Sequence, residues 1–392
     1  MKASVRAFVT PTRARSLTGL CLALVMATGL PGCSVFERSW HRWEAFRTHF
    51  IQADGRVIDR TDGARSTSEG QAYGLFFALV ANEPQTFASI LSWTTHNLAQ
   101  GSLTAHLPAW LWGQRDDGSW GVIDANPATD ADLWIAYTLL EASRLWDVPQ
   151  YAVIADKLLG QIVRRTVIKS SDGLEFMLPA PEGFDLGGGR YRLNPSYLPE
   201  FQFRYLAEHQ PSGPWRALIR NHTALVISLA QARGLAPDWV VYGPEGVAFP
   251  DGTEPHGSYD AIRVYLWAGM TPGSDSLAAL HGMHDLLAVA PRPPERVDVL
   301  TGEVLSQGSP VGFSAALLPY LNALGDDKAL EAQQLLIEAA DRGGLLGDVP
   351  AYYDHVLSLF GEGQLDGWYR FDETGRIIPK WERSCWLIFG DC

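Results

Sequence analysis

The chain has 392 residues, 46% hydrophobic and 19% charged, which supports a large buried core and excludes a disordered chain. Its net charge is −13 and its basic residues are scattered, so a phosphate backbone would be repelled and nucleic acid is excluded as a partner. The load of 14 Trp, 13 Tyr and 16 Phe suits either a large core or the apolar faces of sugars, and composition does not choose between them.

In chain order, the first 33 residues carry arginines at 6, 13 and 15, a short apolar run from Leu17 to Leu30, and small residues up to Cys33. This reads as a secretory signal (1–33), too short for a comfortable membrane span, so the mature protein is expected in the periplasm or secreted. Residues 34–392 are expected to form one domain, because no Pro/Ser-rich linker, charge block or low-complexity segment interrupts them. Leu30-Pro31-Gly32-Cys33 resembles a lipoprotein cleavage box, which would place a lipid anchor on Cys33. The competing reading is a disulfide from Cys33 to Cys385 or Cys392, and both stay open. No HExxH or CxxC pattern occurs among the ten His and four Cys, so neither a metal nor another cofactor is expected.

Helix-period apolar spacing then recurs about twelve times, over 36–51, 68–82, 84–97, 129–146, 149–166, 197–209, 214–233, 259–270, 275–289, 310–323, 326–341 and 350–361. Strand alternation is confined to short pieces: 173–180, 239–243, RYRL and GWYRF. The segments 98–128, 167–196, 234–258 and 290–309 read as long loops, where binding elements are expected. About twelve linker-free helices without a detectable repeat predict an all-α fold of packed hairpins, and a closed (α/α)6 barrel of six inner and six outer helices with small β decorations uses that number fully.

Three helix starts share a pattern. Thr129 is expected to cap a helix with Asp130 and Asp132 in its first turn; Ser66 with Glu69 fits a capping box; Ser258 precedes Asp260 in the same way. Acids in a first turn complement the helix dipole, and that alone accounts for each singly. But nearly wholly apolar residues follow each acid, which predicts helices buried all round whose starts converge on one face of the bundle. Carboxylates meeting across an aromatic-lined groove are what glycoside hydrolysis requires. A helix start lowers a carboxyl pKa, which suits a base such as Asp260 and works against an acid, so Glu69 would need burial or a neighbouring carboxylate, with Asp130 the candidate. Trp110 and Trp112 lie in a Gly/Asp-rich stretch, where sugar stacking competes with packing under the loop. Arg263, one turn after Asp260, suits either a structural ion pair or a substrate hydroxyl, and Tyr197 follows a turn at Asn194-Pro195-Ser196.

Together these residues resemble glycoside hydrolase family 8, the bacterial endoglucanases formerly called cellulase family D. Ala128-Thr129-Asp130-Ala131-Asp132, with Ile135-Ala136 and then Ala142 and Trp146, looks like its signature. TSEGQAYG (67–74) matches its acid-bearing segment, SYDAIR (258–263) its base-bearing segment, and Asn194-Pro195-Ser196-Tyr197 its substrate loop, where many members carry Asp first. The likeness runs from about Trp40 to about Trp381. Within the family it is strongest to the periplasmic enzymes of cellulose-synthesis systems, through GRVID (55–59), NLAQGSL (97–103), LPAWLWG (107–113), RLNPSYLP (192–199), YDAIRVY (259–265), RVDV (296–299) and SPVGFSAALLP (309–319).

The resemblance implies a six-fold α/α barrel and inverting, metal-free hydrolysis of internal β-1,4-glucosidic bonds of cellulose. It implies Glu69 as proton donor, Asp260 as the base that activates water, and Asp130 as the acid that holds the distorted sugar. Inversion implies a Glu69–Asp260 carboxyl separation of roughly 6.5–9.5 Å. Substrate contacts are expected from Trp112, Tyr197, Tyr259 and Arg263, and from Trp110. Expected partners are a β-1,4-glucan chain and, in the periplasm, the cellulose synthase machinery. Two alternatives remain: the same fold acting on chitosan, mixed-linkage glucan or xylan, and a non-catalytic glycan-binding component of the secretion machinery.

Overall fold

Long apolar runs opened by an acid fold as inner helices, and runs with one polar stripe fold as outer ones. The computed structural model describes residues 40–382; the signal reading, the lipid-or-disulfide alternatives and all four cysteines lie outside the described residues. The helices in order are α1 (His41–Phe50), α2 (Ser68–Val80), α3 (Pro84–Asn97), α4 (Thr129–Trp146), α5 (Pro149–Thr166), α6 (Glu200–His209) and α7 (Trp215–Ala230). They continue as α8 (Ala261–Met270), α9 (Gly282–Val289), α10 (Val311–Ala316), α11 (Leu318–Leu324), α12 (Asp327–Ala340) and α13 (Tyr352–Leu365). The molecule is an (α/α)6 barrel in which α2, α4, α6, α8, the broken helix α10–α11 and α13 form the inner ring.

The inner assignment follows from burial. Every residue of α4 from Thr129 to Ala142 is buried, as are all of α2 except Glu69 and nearly all of α8. Aromatic rings from facing inner helices meet on the axis: Trp134 of α4 lies 5.6 Å from Trp267 of α8 and 5.2 Å from Phe360 of α13, and Tyr73 of α2 lies 5.0 Å from Phe360. Each such side chain contributes about 1.5–3 kcal/mol by leaving water. The first and last inner helices are joined through α1, whose Trp43, Phe46 and Phe50 are fully buried, with Trp40 stacked on Trp368 at 5.4 Å.

The single helix expected over 310–323 is two. Pro319 has no N–H to return to the carbonyl of Ala315, so the helix breaks at Leu317 and α11 begins with Pro in its first turn. The helix expected over 275–289 is likewise a 3-10 turn (Leu277–Leu280) followed by α9, and Gly282 N at its start donates to Gly234 O at 2.9 Å instead of to the preceding turn.

The stretch 98–128, expected as a loop, contains a β-hairpin, Ala109–Gln114 against Trp120–Pro127. Its first strand also pairs with Ser66–Thr67, aligning Ser66 with Trp112 and Thr67 with Leu111. Trp110 and Trp112 are therefore strand residues on one face, not loop residues. The expected short strands are present at Glu175–Met177, Arg190–Leu193, Val240–Gly243 and Tyr369–Phe371. Among the described residues no helix is long and apolar enough to cross a membrane.

Candidate active site

None of the three helix starts is capped as the local pattern predicts. Thr67, not Ser66, is the N-cap of α2 and accepts from Gly70 N at 3.0 Å, while Ser66 Oγ donates to Val57 O at 2.6 Å. The cap of α4 is Ala128, because Thr129 Oγ1 is spent donating to Leu178 O at 2.8 Å. Ser258 Oγ donates to Glu295 O, and Asp260 stands at the N-cap of α8 with its carboxylate bound to no backbone group of the helix. Carbonyls of other segments claim the hydroxyls, and the acids are left free to face each other.

They meet around Arg263, which is 6% exposed. One of its nitrogens lies 2.8 Å from Asp260 Oδ1 and the other 3.7 Å from Glu69 Oε2. Both contacts are on one planar guanidinium, so these two carboxyl oxygens are no more than about 9 Å apart. The guanidinium is held in turn by Ser196 Oγ at 3.0 Å and Tyr353 Oη at 3.2 Å. Ser196 is fixed by Asn194, whose Oδ1 accepts from both Ser196 N and Ser196 Oγ. Arg263 is thus an ion-pair residue joining two elements, with its charge directed at carboxylates.

Burial at the barrel mouth raises the Glu69 carboxyl to about 7; Arg263 opposes this, and the neighbouring charges of Asp130 and Asp260 add to it. Asp130 is raised to about 6, again chiefly by burial, and its Oδ1 has no hydrogen-bond partner. Asp132 is fully buried with both oxygens unpartnered, and burial with the adjacent Asp130 pushes its carboxyl well up. The conflict between a helix N-terminus and a raised pKa is therefore decided by desolvation.

Beside Glu69 lies an open cavity of about 190 Å³ lined by Asp59, Thr67, Glu69, Tyr352 and Tyr353. Tyr197 is brought to the same cluster, where burial and the charges of Asp130 and Asp260 raise its hydroxyl pKa. Tyr259 is half exposed, with its ring 5.1 Å from Phe313 and its hydroxyl donating to Glu295 at 3.1 Å. Trp112 is carried next to the acid-bearing segment by the pairing with Ser66, but its ring is shared with Trp120 at 5.4 Å, Trp93 at 5.4 Å and the Arg56 guanidinium at 4.3 Å. Trp110, two residues before Trp112 on the same face of the strand, is the more exposed of the two.

Sequence reasoning missed Tyr353, Tyr352 and Arg56, and named Ser196 only as part of the loop before Tyr197. Tyr353 reaches Arg263 across 90 residues of sequence and also donates to Tyr259 O at 2.6 Å. Its only local signal was the pair of tyrosines opening α13. Among the described residues no group of three or more His, Cys, Asp or Glu is arranged to hold a metal ion.

A helical barrel with acids grouped at the mouth of its inner ring is the architecture of a glycoside hydrolase. The profile of glycosyl hydrolases family 8 matches residues 25–366, and the chain belongs to this family. It is 45% identical over 385 residues to an endoglucanase of Xanthomonas axonopodis pv. citri, spanning 94% of this chain and 97% of that one. It is 41% identical to an endoglucanase of Escherichia coli K12, spanning 88% and 93%. The solved endo-1,4-D-glucanase of Vibrio fischeri ES114 superposes with a TM-score of 0.81 at 40% identity, covering 87% of this chain and 99% of that one. The endo-beta-1,4-glucanase CMCax of Acetobacter xylinum superposes at 0.66 and 26% identity, covering 82% and 95%.

Proposed function

We propose that this hydrolase is an endo-β-1,4-glucanase that cuts internal bonds of cellulose with inversion, Glu69 acting as general acid and Asp260 as base. The observation that carries the reading is the Glu69–Arg263–Asp260 array, which sets a carboxyl raised to about 7 and a second carboxylate on the two arms of one cation. In the proposed cycle Asp260 removes a proton from a water, and the water oxygen bonds to the anomeric carbon as the glycosidic bond breaks. Glu69 gives its proton to the departing oxygen. Asp130 holds the ring at the cleavage point by hydrogen bonding, and Tyr197, Tyr259 and Trp112 hold the flanking sugars.

The glucan specificity is supported by relatives named as endoglucanases over nearly their full length. The N-terminal run supports export with loss of the signal ahead of the domain, leaving a single catalytic domain in the periplasm or outside the cell. There it would trim chains emerging from a cellulose synthase, an assignment resting on the sequence likeness in GRVID, LPAWLWG and SPVGFSAALLP.

One digest tests the chemistry. Carboxymethylcellulose should be cut and chitosan and xylan left, with the α-anomer appearing first by NMR; a β-anomer product or cleavage of chitosan alone overturns the reading. Glu69→Gln should lower kcat by about 10³-fold or more, as for loss of a general acid within a pre-organised site. Undiminished hydrolysis by that variant would instead favour a glycan-binding role for the cluster.

A further inference from the structure

The first N–H groups of a helix need partners from outside it, and the side chain at the N-cap ordinarily supplies one. At α8 the N-cap is Asp260, and it supplies none. The acceptor comes from the segment after α7: Asp238 Oδ1 takes Ala261 N and Ser258 N, each at 2.8 Å. The same segment is pinned along its length. Asp238 N donates to His256 O at 2.9 Å, Ala236 N donates to Tyr265 Oη at 3.0 Å, and a Cβ on Gly257 would stand 2.2 Å from Ala236 O. Asp238 is 10% exposed in its side chain, and its second oxygen lies 3.4 Å from His256 Nε2. On the far side, Val299 N donates to Pro255 O at 2.9 Å, so the loop carrying Asp260 is gripped from two directions.

We infer that Asp238 is the positioning residue of the general base: it caps α8 in place of Asp260, which leaves the Asp260 carboxylate free to sit against Arg263 and face the cleft. The inference rests on the reading of Asp260 as base. Asp238 itself touches no substrate. Without it, the Ala261 and Ser258 N–H groups would turn to the nearest carboxylate, that of Asp260, and draw it off Arg263. Burial and the charge of Asp260 raise the Asp238 carboxyl while its two N–H donors and His256 lower it, as expected of a carboxylate held in place by backbone donors beside a second acid.

The test uses the full-length enzyme on soluble cellulose derivatives. Asp238→Ala should lower kcat about 100-fold with KM changed less than about threefold, the signature of a displaced reacting group. Asp238→Asn keeps an acceptor oxygen and should restore kcat to within about threefold of the parent. Should the alanine variant fail to fold by circular dichroism, Asp238→Glu, which keeps the charge and moves the acceptor by one methylene, takes its place with the same expected loss. Full kcat in Asp238→Ala at a temperature where it is folded, even with a lower Tm, overturns the inference. So does an asparagine variant as damaged as the alanine one. Asp260→Asn is assayed alongside: if it remains active, the base reading falls and this inference with it, whereas an inactive Asp260→Asn beside an unaffected Asp238→Ala removes the inference alone.

Discussion

Glu69 carries a carboxyl that resists ionising because charge at the barrel mouth is poorly solvated. The native state therefore binds its proton more tightly than the unfolded chain does. That adds stability which is full below about 4.5 and lost as pH rises to about 7. Glu69→Gln should accordingly leave Tm unchanged near pH 4 and raise it at pH 8, measured by thermal scans of parent and variant; a variant less stable at pH 8 would contradict the sign. In the proposed role the acid must be protonated, so kcat/KM should fall on the alkaline side with a midpoint near 7. That the acids would gather was legible from their places ahead of wholly apolar runs. Which groups would cap the helices was not, because Ser66, Thr129 and Ser258 spend their hydroxyls on carbonyls of Val57, Leu178 and Glu295, partners that no local pattern reveals.

Among the elements, inner helices cross so tightly that two glycines replace side chains with backbone. A Cβ on Gly361 of α13 would lie 1.8 Å from Ala315 O, and one on Gly269 of α8 would lie 2.2 Å from Tyr320 N. Gly361→Ala or Gly269→Ala should cost about 2–3 kcal/mol by overpacking, read as a lower denaturant midpoint with unchanged slope. The helix α10–α11 was expected whole because its apolar period runs through Pro319 undisturbed, and only the missing N–H divides it. The hairpin at 109–127 was invisible for the opposite reason. Its strands are interrupted by bulges near Leu111 and joined through Gly and Asp, so the alternation that betrays a strand is broken. Trp112→Ala should weaken that hairpin as well as any sugar contact, since Arg56, Trp93 and Trp120 all rest on its ring. The expected outcome is a raised KM together with a lower Tm.

For the whole molecule, closing the ring requires α1, which comes from the start of the described chain and packs against α13 near its end. Trp43, Phe46 and Phe50 bury completely there, and Arg42 binds Glu362 at 3.0 Å and Asp341 at 2.8 Å. Deleting residues up to 52 should leave the barrel open and insoluble or molten, detected as loss of near-UV circular dichroism with helical far-UV signal retained. The helix count and the absence of linkers made the barrel legible as a class. The aromatic packing on its axis, Trp134 with Trp267 and Phe360, joins residues too far apart in sequence for any periodicity to pair them.

The guanidinium shared by Glu69 and Asp260 bears on how the site would restart. In the proposed cycle one acid surrenders a proton and the other gains one, so the total charge at the mouth is the same before and after bond cleavage, and Arg263 sees negative charge move from one arm to the other. Resetting then asks only that Asp260 give its proton to water and Glu69 take one from water, while Arg263 stays in place between them.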